Sequence, residues 1–261
     1  MSEALVYRRG GLGDTLLLFP LLEVLKRKGY RVTAVGNADY LALAKEAGFA
    51  DRVLSYLPKE PFKLKLLFTK GHLPPLPTGR VWAVEHYLKA AGFKNEPFSL
   101  TLPIKGSGEL AGAAVLHPGS GSKKKRAPLK LFLELAEELT KRGLKVRFIL
   151  GEAEEELREE LKDAFFSSSA LKTAKALKGA ALFVGNDSGL THLAAYLGVP
   201  TVALFGPTDP LVWRPIGKKV RVVTLNLPCS PCFPNVCETR SCLTDGKIKE
   251  TALRAVDNLI E

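Results

Sequence analysis

Along this chain, short apolar runs alternate with longer stretches in which apolar positions recur about every three to four residues. The short runs predict buried strands and the longer stretches predict helices. A strand over 4–8 (ALVYR) leads through glycines into a mostly apolar helix over 14–29 that closes on Gly29. YRVTAVG is a second strand, ADYLALAKEAG at 38–48 a second helix, and DRVLSY a third strand. Residues 58–79 break this rhythm with five prolines, and they interleave Lys63, Lys65 and Lys70 with Phe62, Leu64, Leu66, Leu67 and Phe68. The helix RVWAVEHYLKAAGF follows.

From residue 113 the pattern restarts with the strand AAVLH, an amphipathic helix over 128–143 and the strand KVRFIL. Helices EAEEELREELKDA and ALKTAKALKG come next, then strand ALFVG, helix GLTHLAAYLG and strand PTVALFG. Strands alternating with helices across short loops predict parallel sheets with right-handed crossovers. The rhythm fails once more over 96–112, so the expected class is α/β, with two doubly wound, Rossmann-like domains over 1–106 and 107–261. Ligands in such folds sit beyond the carboxyl ends of the strands, which places the site in the cleft between the domains.

The 261 residues, 46% hydrophobic and 25% charged, suffice for two such cores. No apolar run nears the roughly 20 residues of a membrane-spanning helix. The opening MSEALVYRRGG lacks the marks of a secretory signal, which makes the cytoplasm the expected compartment. A net charge of +11 predicts anionic partners, with a lysine-rich solvated surface as the plain alternative. Nucleic acid is not among the expected partners, because the segment around the cysteines has few basic residues and aromatic platforms are absent.

Three clusters carry candidate chemistry. Gly10, Gly11 and Gly13 follow a strand and open a helix, as in a dinucleotide fingerprint, but Leu16 stands where its third glycine belongs. No acidic residue closes the second strand, Asp39 being the nearest. Asp14 would repel a phosphate there, so it reads either as a helix cap or as a catalytic carboxylate. The second cluster, HPGSGSKKKRAP at 117–128, offers hydroxyls, backbone amides and lysines to an anion, unless it is only an exposed basic loop. The third, over 184–210, crowds Asp187, Ser188, Gly189 and Thr191 at a helix start and ends in the turn GPT. Taken alone, Asp187 could be a cap and His192 a core residue.

GLGDTLLLFP, HPGSGSKKKRAP, GEAEE, NDSGLTHLAAYLGVPTVALFGPTDP and the terminal cysteine segment, in this order, resemble glycosyltransferase family 9, the heptosyltransferases of lipopolysaccharide inner-core synthesis. The likeness is strongest over 113–261 and thinner over 30–110. It implies the GT-B fold, two Rossmann-like domains across a cleft, with an acceptor-binding 1–106 and a nucleotide-sugar-binding 107–261. It also implies metal-independent, inverting transfer of L-glycero-D-manno-heptose from ADP-heptose to 3-deoxy-D-manno-octulosonic acid (Kdo) or to heptose. No cofactor is required for that catalysis. Asp14 matches the family's general base and Lys125 the lysine that neutralises the departing diphosphate. The family usually has Trp where this chain has Ala127, so Lys123, Lys124 and Arg126 stand as neighbours in the same register. Ser120 and Ser122, flanking Gly121, match the hydroxyls near the phosphates, and Glu155 matches the ribose-binding carboxylate. Asp187 matches the residue on the sugar hydroxyls. The amides of Ser188, Gly189 and Leu190 would receive phosphate, with His192, Gly206, Pro207 and Thr208 lining the pocket. Gly11 and Gly13 would give the acceptor sugar room.

The acceptor implied is Kdo-lipid A or a heptosylated lipopolysaccharide, anionic and membrane-embedded. The basic, leucine-rich stretch 58–73, with Lys63 and Lys65, is therefore expected to touch acceptor and the inner face of the inner membrane, or else to be a surface loop with partly packed leucines. A sugar-nucleotide epimerase of the same architecture, or a transferase of another nucleotide sugar, is the rival activity. All four cysteines, Cys229, Cys232, Cys237 and Cys242, fall within 229–242. Their spacing points to structural zinc or an iron–sulfur cluster, with disulfides and free thiols as alternatives.

Overall fold

A computed structural model of the protein describes residues 2–106, 108–233, 237 and 239–260. Its first half contains β1 (Ser2–Tyr7), α1 (Leu12–Arg27), β2 (Tyr30–Val35), α2 (Ala38–Glu46), β3 (Arg52–Leu54), β4 (Leu64–Leu67) and α3 (Ala83–Ala90). The second half runs through β5 (Ala114–His117), α4 (Leu129–Lys141), β6 (Val146–Leu150), β7 (Phe165–Phe166), α5 (Ala170–Leu177), β8 (Leu182–Asn186) and α6 (Gly189–Tyr196). It ends with β9 (Thr201–Leu204), α7 (Pro210–Trp213), β10 (Val220–Val223), α8 (Ser241–Thr244) and α9 (Lys247–Ile260).

Both sheets are parallel throughout, with strand orders β3-β2-β1-β4 and β10-β9-β8-β5-β6-β7. In each, the chain reverses its winding beside the first strand: β1 lies between β2 and β4, and β5 lies between β8 and β6. Crevices form at such reversals, beyond the carboxyl ends of the strands. The Gly10–Asp14 turn leaves β1 there, and loops 118–126 and 187–188 leave β5 and β8 there.

Helix α1 is buried nearly all round, from Leu16 to Leu25, because it lies between the two halves, whereas α4 buries only the stripe Leu131, Phe132, Leu135 and Leu139. One hydrophobic core joins the halves: Val6, Phe19 and Tyr87 from the first share it with Leu110, Phe183, Leu193 and Tyr196 from the second. A second core lies between the six-stranded sheet and α4 and α9. The connection over 91–113 is part of the shared core, with Leu102, Ile104 and Leu110 buried and the Leu102 amide donating to Tyr196 O at 2.6 Å. Among the described residues, no helix is long and apolar enough to cross a membrane.

Two expectations change here. Residues 64–67 of the basic stretch are strand β4, hydrogen-bonded to β1, with Leu66 and Phe68 buried. Phe62, Leu64 and Leu67 are half-buried, matching the alternative of partly packed leucines, and Lys63 and Lys65 are exposed on the surface of the first half. The helix expected over 152–164 is instead a 3-10 turn over Glu152–Leu157, interrupted at Glu154, whose carboxylate folds back to accept the Gly151 amide at 2.9 Å. That leaves a crowded acidic segment without the side-chain spacing a longer helix would need.

Candidate active site

The two strand-end crevices merge into one cleft of about 1000 Å³. On the wall from the first half, Asp14 occupies the first turn of α1. Its carboxylate accepts the Gly11 amide at 3.1 Å and the Arg8 Nη2 at 3.3 Å. Arg8 is buried; its Nε donates to the Tyr87 hydroxyl at 3.1 Å, and that hydroxyl donates to Pro75 O at 3.2 Å. Burial raises the Tyr87 phenol above its ordinary range, which keeps it a neutral donor. Gly11, not Asp14, holds the N-cap position of α1; Asp14 lies at the third helical position, where it accepts the Gly11 amide and lines the cleft.

On the opposite wall, the buried Asp187 carboxylate gathers three partners. Its Oδ2 accepts Lys125 Nζ at 3.1 Å and the Thr208 hydroxyl at 2.8 Å, and His192 Nε2 stands 3.8 Å from Oδ1. Burial alone would raise its pKa, but His192, Lys125 and Thr208 outweigh it and hold the carboxyl down at about 2. Asn186 fixes the loop in front of it, donating to Pro118 O and Gly119 O and accepting the Ala127 amide. Ser120 Oγ donates to Asp187 O at 2.8 Å. Ser188 caps α6 by accepting the Thr191 amide.

The structure sorts the neighbouring cations. Arg126 is tied to Ser120 O, Ala153 O and the Glu156 carboxylate, and Lys123 is exposed beside Glu156. Lys124 lies against the cysteine pocket. Lys125 alone among these four lines the cleft.

Ser120, Gly121, Ser122, Asp187, Ser188, Gly189, Leu190, His192 and Thr208 line the cleft with Gly11, Gly13 and Asp14, as the motifs anticipated. Five candidates, Glu155, Gly206, Pro207, Lys63 and Lys65, do not line the cleft. Glu155 is exposed and paired with Arg158 at 2.9 Å, while Glu152 and the buried Glu154 line the cleft instead. The cause is the broken turn, which rotates the side chain one place off the simple spacing. Of the turn at 206–208, only Thr208 reaches the cleft. Gly206 is packed behind it, where a Cβ would lie 3.0 Å from Cys242 Sγ, and Pro207 lines the cysteine pocket. Gly13 faces the His192 ring, which a Cβ would meet at 3.3 Å, so its missing side chain makes room for His192 and not only for an acceptor. Lys63 and Lys65 line no part of the cleft.

Further contacts shape the cleft and join the two halves beside it. Burial holds the His117 imidazole below its ordinary range, with Nδ1 on Ile149 O at 3.0 Å. Asp39 and Tyr40, at the start of α2, meet the second half where Asp39 accepts the Ala170 amide at 2.9 Å. The Tyr40 phenol is raised by burial and by the Glu152 and Asp39 carboxylates. At the other end, Arg80 pairs with Asp209 at 2.7 Å and Trp82 Nε1 donates to Arg214 O at 3.0 Å. The partners in these contacts lie far apart along the chain, so sequence spacing does not encode the contacts.

No disulfide joins the four cysteines, which line a smaller pocket of about 280 Å³. Burial and the neighbouring sulfurs raise the Cys242 and Cys232 thiols. Four soft donors suit zinc or iron by type. Among the described residues, however, no three Cys, His, Asp or Glu side chains close on one ligating position. The thiols share a pocket and do not form a coordination sphere.

Two parallel α/β lobes facing across one cleft make up the GT-B architecture. The model of glycosyltransferase family 9 (heptosyltransferase) matches residues 107–242, and the chain belongs to this family. Lipopolysaccharide heptosyltransferase 1 of Pseudomonas aeruginosa is 36% identical over 131 residues, which is 48% of this chain and 37% of that protein. The match therefore spans well under half the length of that relative. The structure of E. coli ADP-heptose lipopolysaccharide heptosyltransferase II superposes with a TM-score of 0.76 at 17% identity, covering 99% of this chain and 98% of that one. The iron-containing dodecameric glycosyltransferase TibC of enterotoxigenic E. coli gives 0.70 at 18% identity, covering 99% and 75%.

Proposed function

We propose that this protein is an inverting glycosyltransferase that moves L-glycero-D-manno-heptose from ADP-heptose to Kdo or heptose of the lipopolysaccharide inner core. One observation carries the reading: Asp14 and the Lys125–Asp187–Thr208 cluster line opposite walls of one cleft. The first half, 1–106, presents Asp14 to the acceptor, and the second, 107–261, holds the donor.

In this reading the acceptor hydroxyl attacks the anomeric carbon as Asp14 takes its proton. The new carbon–oxygen bond forms on the face opposite the departing oxygen, the bond from that carbon to the diphosphate breaks, and ADP leaves with the bonding pair. Negative charge therefore grows on the diphosphate, where Lys125 and the first turn of α6 are placed to stabilise it. Lys125 is held by Asp187 and must be shared with the diphosphate when it arrives. Glu152, in place of Glu155, is the carboxylate on the side of the cleft that would receive the ribose. No step runs through a metal ion. Elemental analysis with a thiol count decides whether the cysteine pocket holds a thiophilic ion. Exposed Lys59, Lys63, Lys65 and Lys70, with Tyr56 and Leu57 nearby, suit an anionic acceptor at the inner face of the inner membrane.

Calorimetric titration with ADP-heptose, GDP-sugars and UDP-sugars, followed by transfer assays on Kdo-lipid A, tests the proposal. Selective ADP-heptose binding with transfer supports it. Release of an altered sugar without acceptor would assign the rival epimerase activity.

A further inference from the structure

The cysteine-rich segment takes no part in the chemistry above, yet it holds the backbone beside two of the three partners of Asp187, Lys125 and Thr208. Ser230 Oγ donates to Gly206 O at 2.6 Å, and the amides of Cys232 and Phe233 donate to Pro207 O at 2.9 and 2.8 Å. These bonds fix the turn that ends in Thr208. At its other end, Arg240 Nη1 donates to Lys123 O at 3.1 Å and to Arg126 O at 3.4 Å. Those carbonyls bracket Lys125 on either side. Between the two anchors, the Phe233 ring lies 5.9 Å from Lys125 Nζ and lines the cleft.

Arg240 holds this position in a left-handed backbone conformation, φ 47° and ψ 34°. For a residue with a β-carbon this conformation is unfavourable, and it persists only where surrounding contacts impose it. Glycine or asparagine would adopt it more readily. An arginine there is explained by its side chain, which reaches the carbonyls flanking Lys125.

We propose that residues 229–233 and Arg240 brace the donor-binding loops, and that Arg240 is a positioning residue placing Lys125 for the diphosphate. The inference rests on the assignment of Lys125 to the diphosphate in the proposed function. It specifies a role for a segment that the transfer step leaves unused.

The test is calorimetric titration of the full chain with ADP and with adenosine, for wild type, Lys125→Ala, Arg240→Gly and the double variant. Arg240→Gly relieves the backbone and removes the side chain, so its melting temperature should equal or exceed that of wild type. We expect it to weaken ADP about tenfold and adenosine less than about twofold. Added to Lys125→Ala it should cause no further loss, because both changes act on one contact. Arg240→Lys, which keeps a cationic donor, should recover part of the ADP affinity.

Equal losses for ADP and adenosine, unchanged ADP affinity, or additive effects in the double variant would each overturn the positioning role while leaving the site assignment intact. A Lys125→Ala variant with no selective loss of ADP would overturn the site assignment itself, and the inference with it. Should Arg240→Gly fail to fold, Arg240→Asn, which also tolerates the conformation and is too short to reach, is judged by the same outcomes.

Discussion

At Asp187 burial and ion pairing oppose each other, and pairing wins. Its carboxyl moves from 3.8 to about 2 in the folded chain, so folding favours the ionised form. A depressed carboxyl stabilises the fold above its unfolded value and loses that contribution as pH falls through the folded one. The contribution is about 2 kcal/mol at neutral pH, complete above about pH 5 and gone near pH 2. Urea titrations should therefore show wild type losing more stability than Asp187→Asn between about pH 5 and pH 3. Parallel losses in the two proteins would contradict the pairing. Asp14 and Asp187 drew attention because they sit two residues into α1 and one residue past β8, where direction is fixed by the backbone, whereas the choice of Lys125 among its basic neighbours came from the family resemblance. Glu155 was misplaced, because in an irregular turn the side that faces the cleft depends on dihedral angles, and Arg8 and Asn186, whose partners lie far along the chain, were passed over.

The cleft depends on two helices meeting at their amino ends. Gly189 opens α6 against α1, and a Cβ there would stand 2.6 Å from Leu12 Cβ. No side chain fits without parting the helices. Gly189→Ala should cost about 1–3 kcal/mol and lower transfer, since Asp14 rides on α1 and the donor cluster on α6. Adding Leu12→Gly should restore the transfer that Gly189→Ala removes, at some cost in α1 stability; transfer equal to wild type in Gly189→Ala would show that the contact does not set the cleft. Alternating strands and helices were legible over most of the chain because central parallel strands are continuously apolar and their helices are striped. Strand β4 was not. It is only 4 residues long, follows a proline, and alternates lysine with leucine as an exposed edge does.

The two halves share a core that includes Phe19, Tyr87, Leu110, Phe183 and Tyr196, so neither half buries its apolar surface alone. Thermal unfolding should accordingly follow one transition with matching calorimetric and van't Hoff enthalpies. Two separated transitions would mean that the halves are independent domains. The expected pair of Rossmann-like sheets was legible in the repeat of the βα rhythm, but the burial of their connection was not, because Pro- and Gly-rich composition resembles a linker whether it is packed or free. What the assembled molecule does with the cleft comes down to Asp14. The most direct measurement is the rate of heptose transfer from ADP-heptose to Kdo-lipid A by Asp14→Asn, beside its affinity for ADP. The proposed mechanism predicts a fall of about a hundredfold or more in turnover with ADP affinity unchanged within about twofold. Turnover close to that of wild type would reduce Asp14 to a structural partner of the Gly11 amide and contradict it.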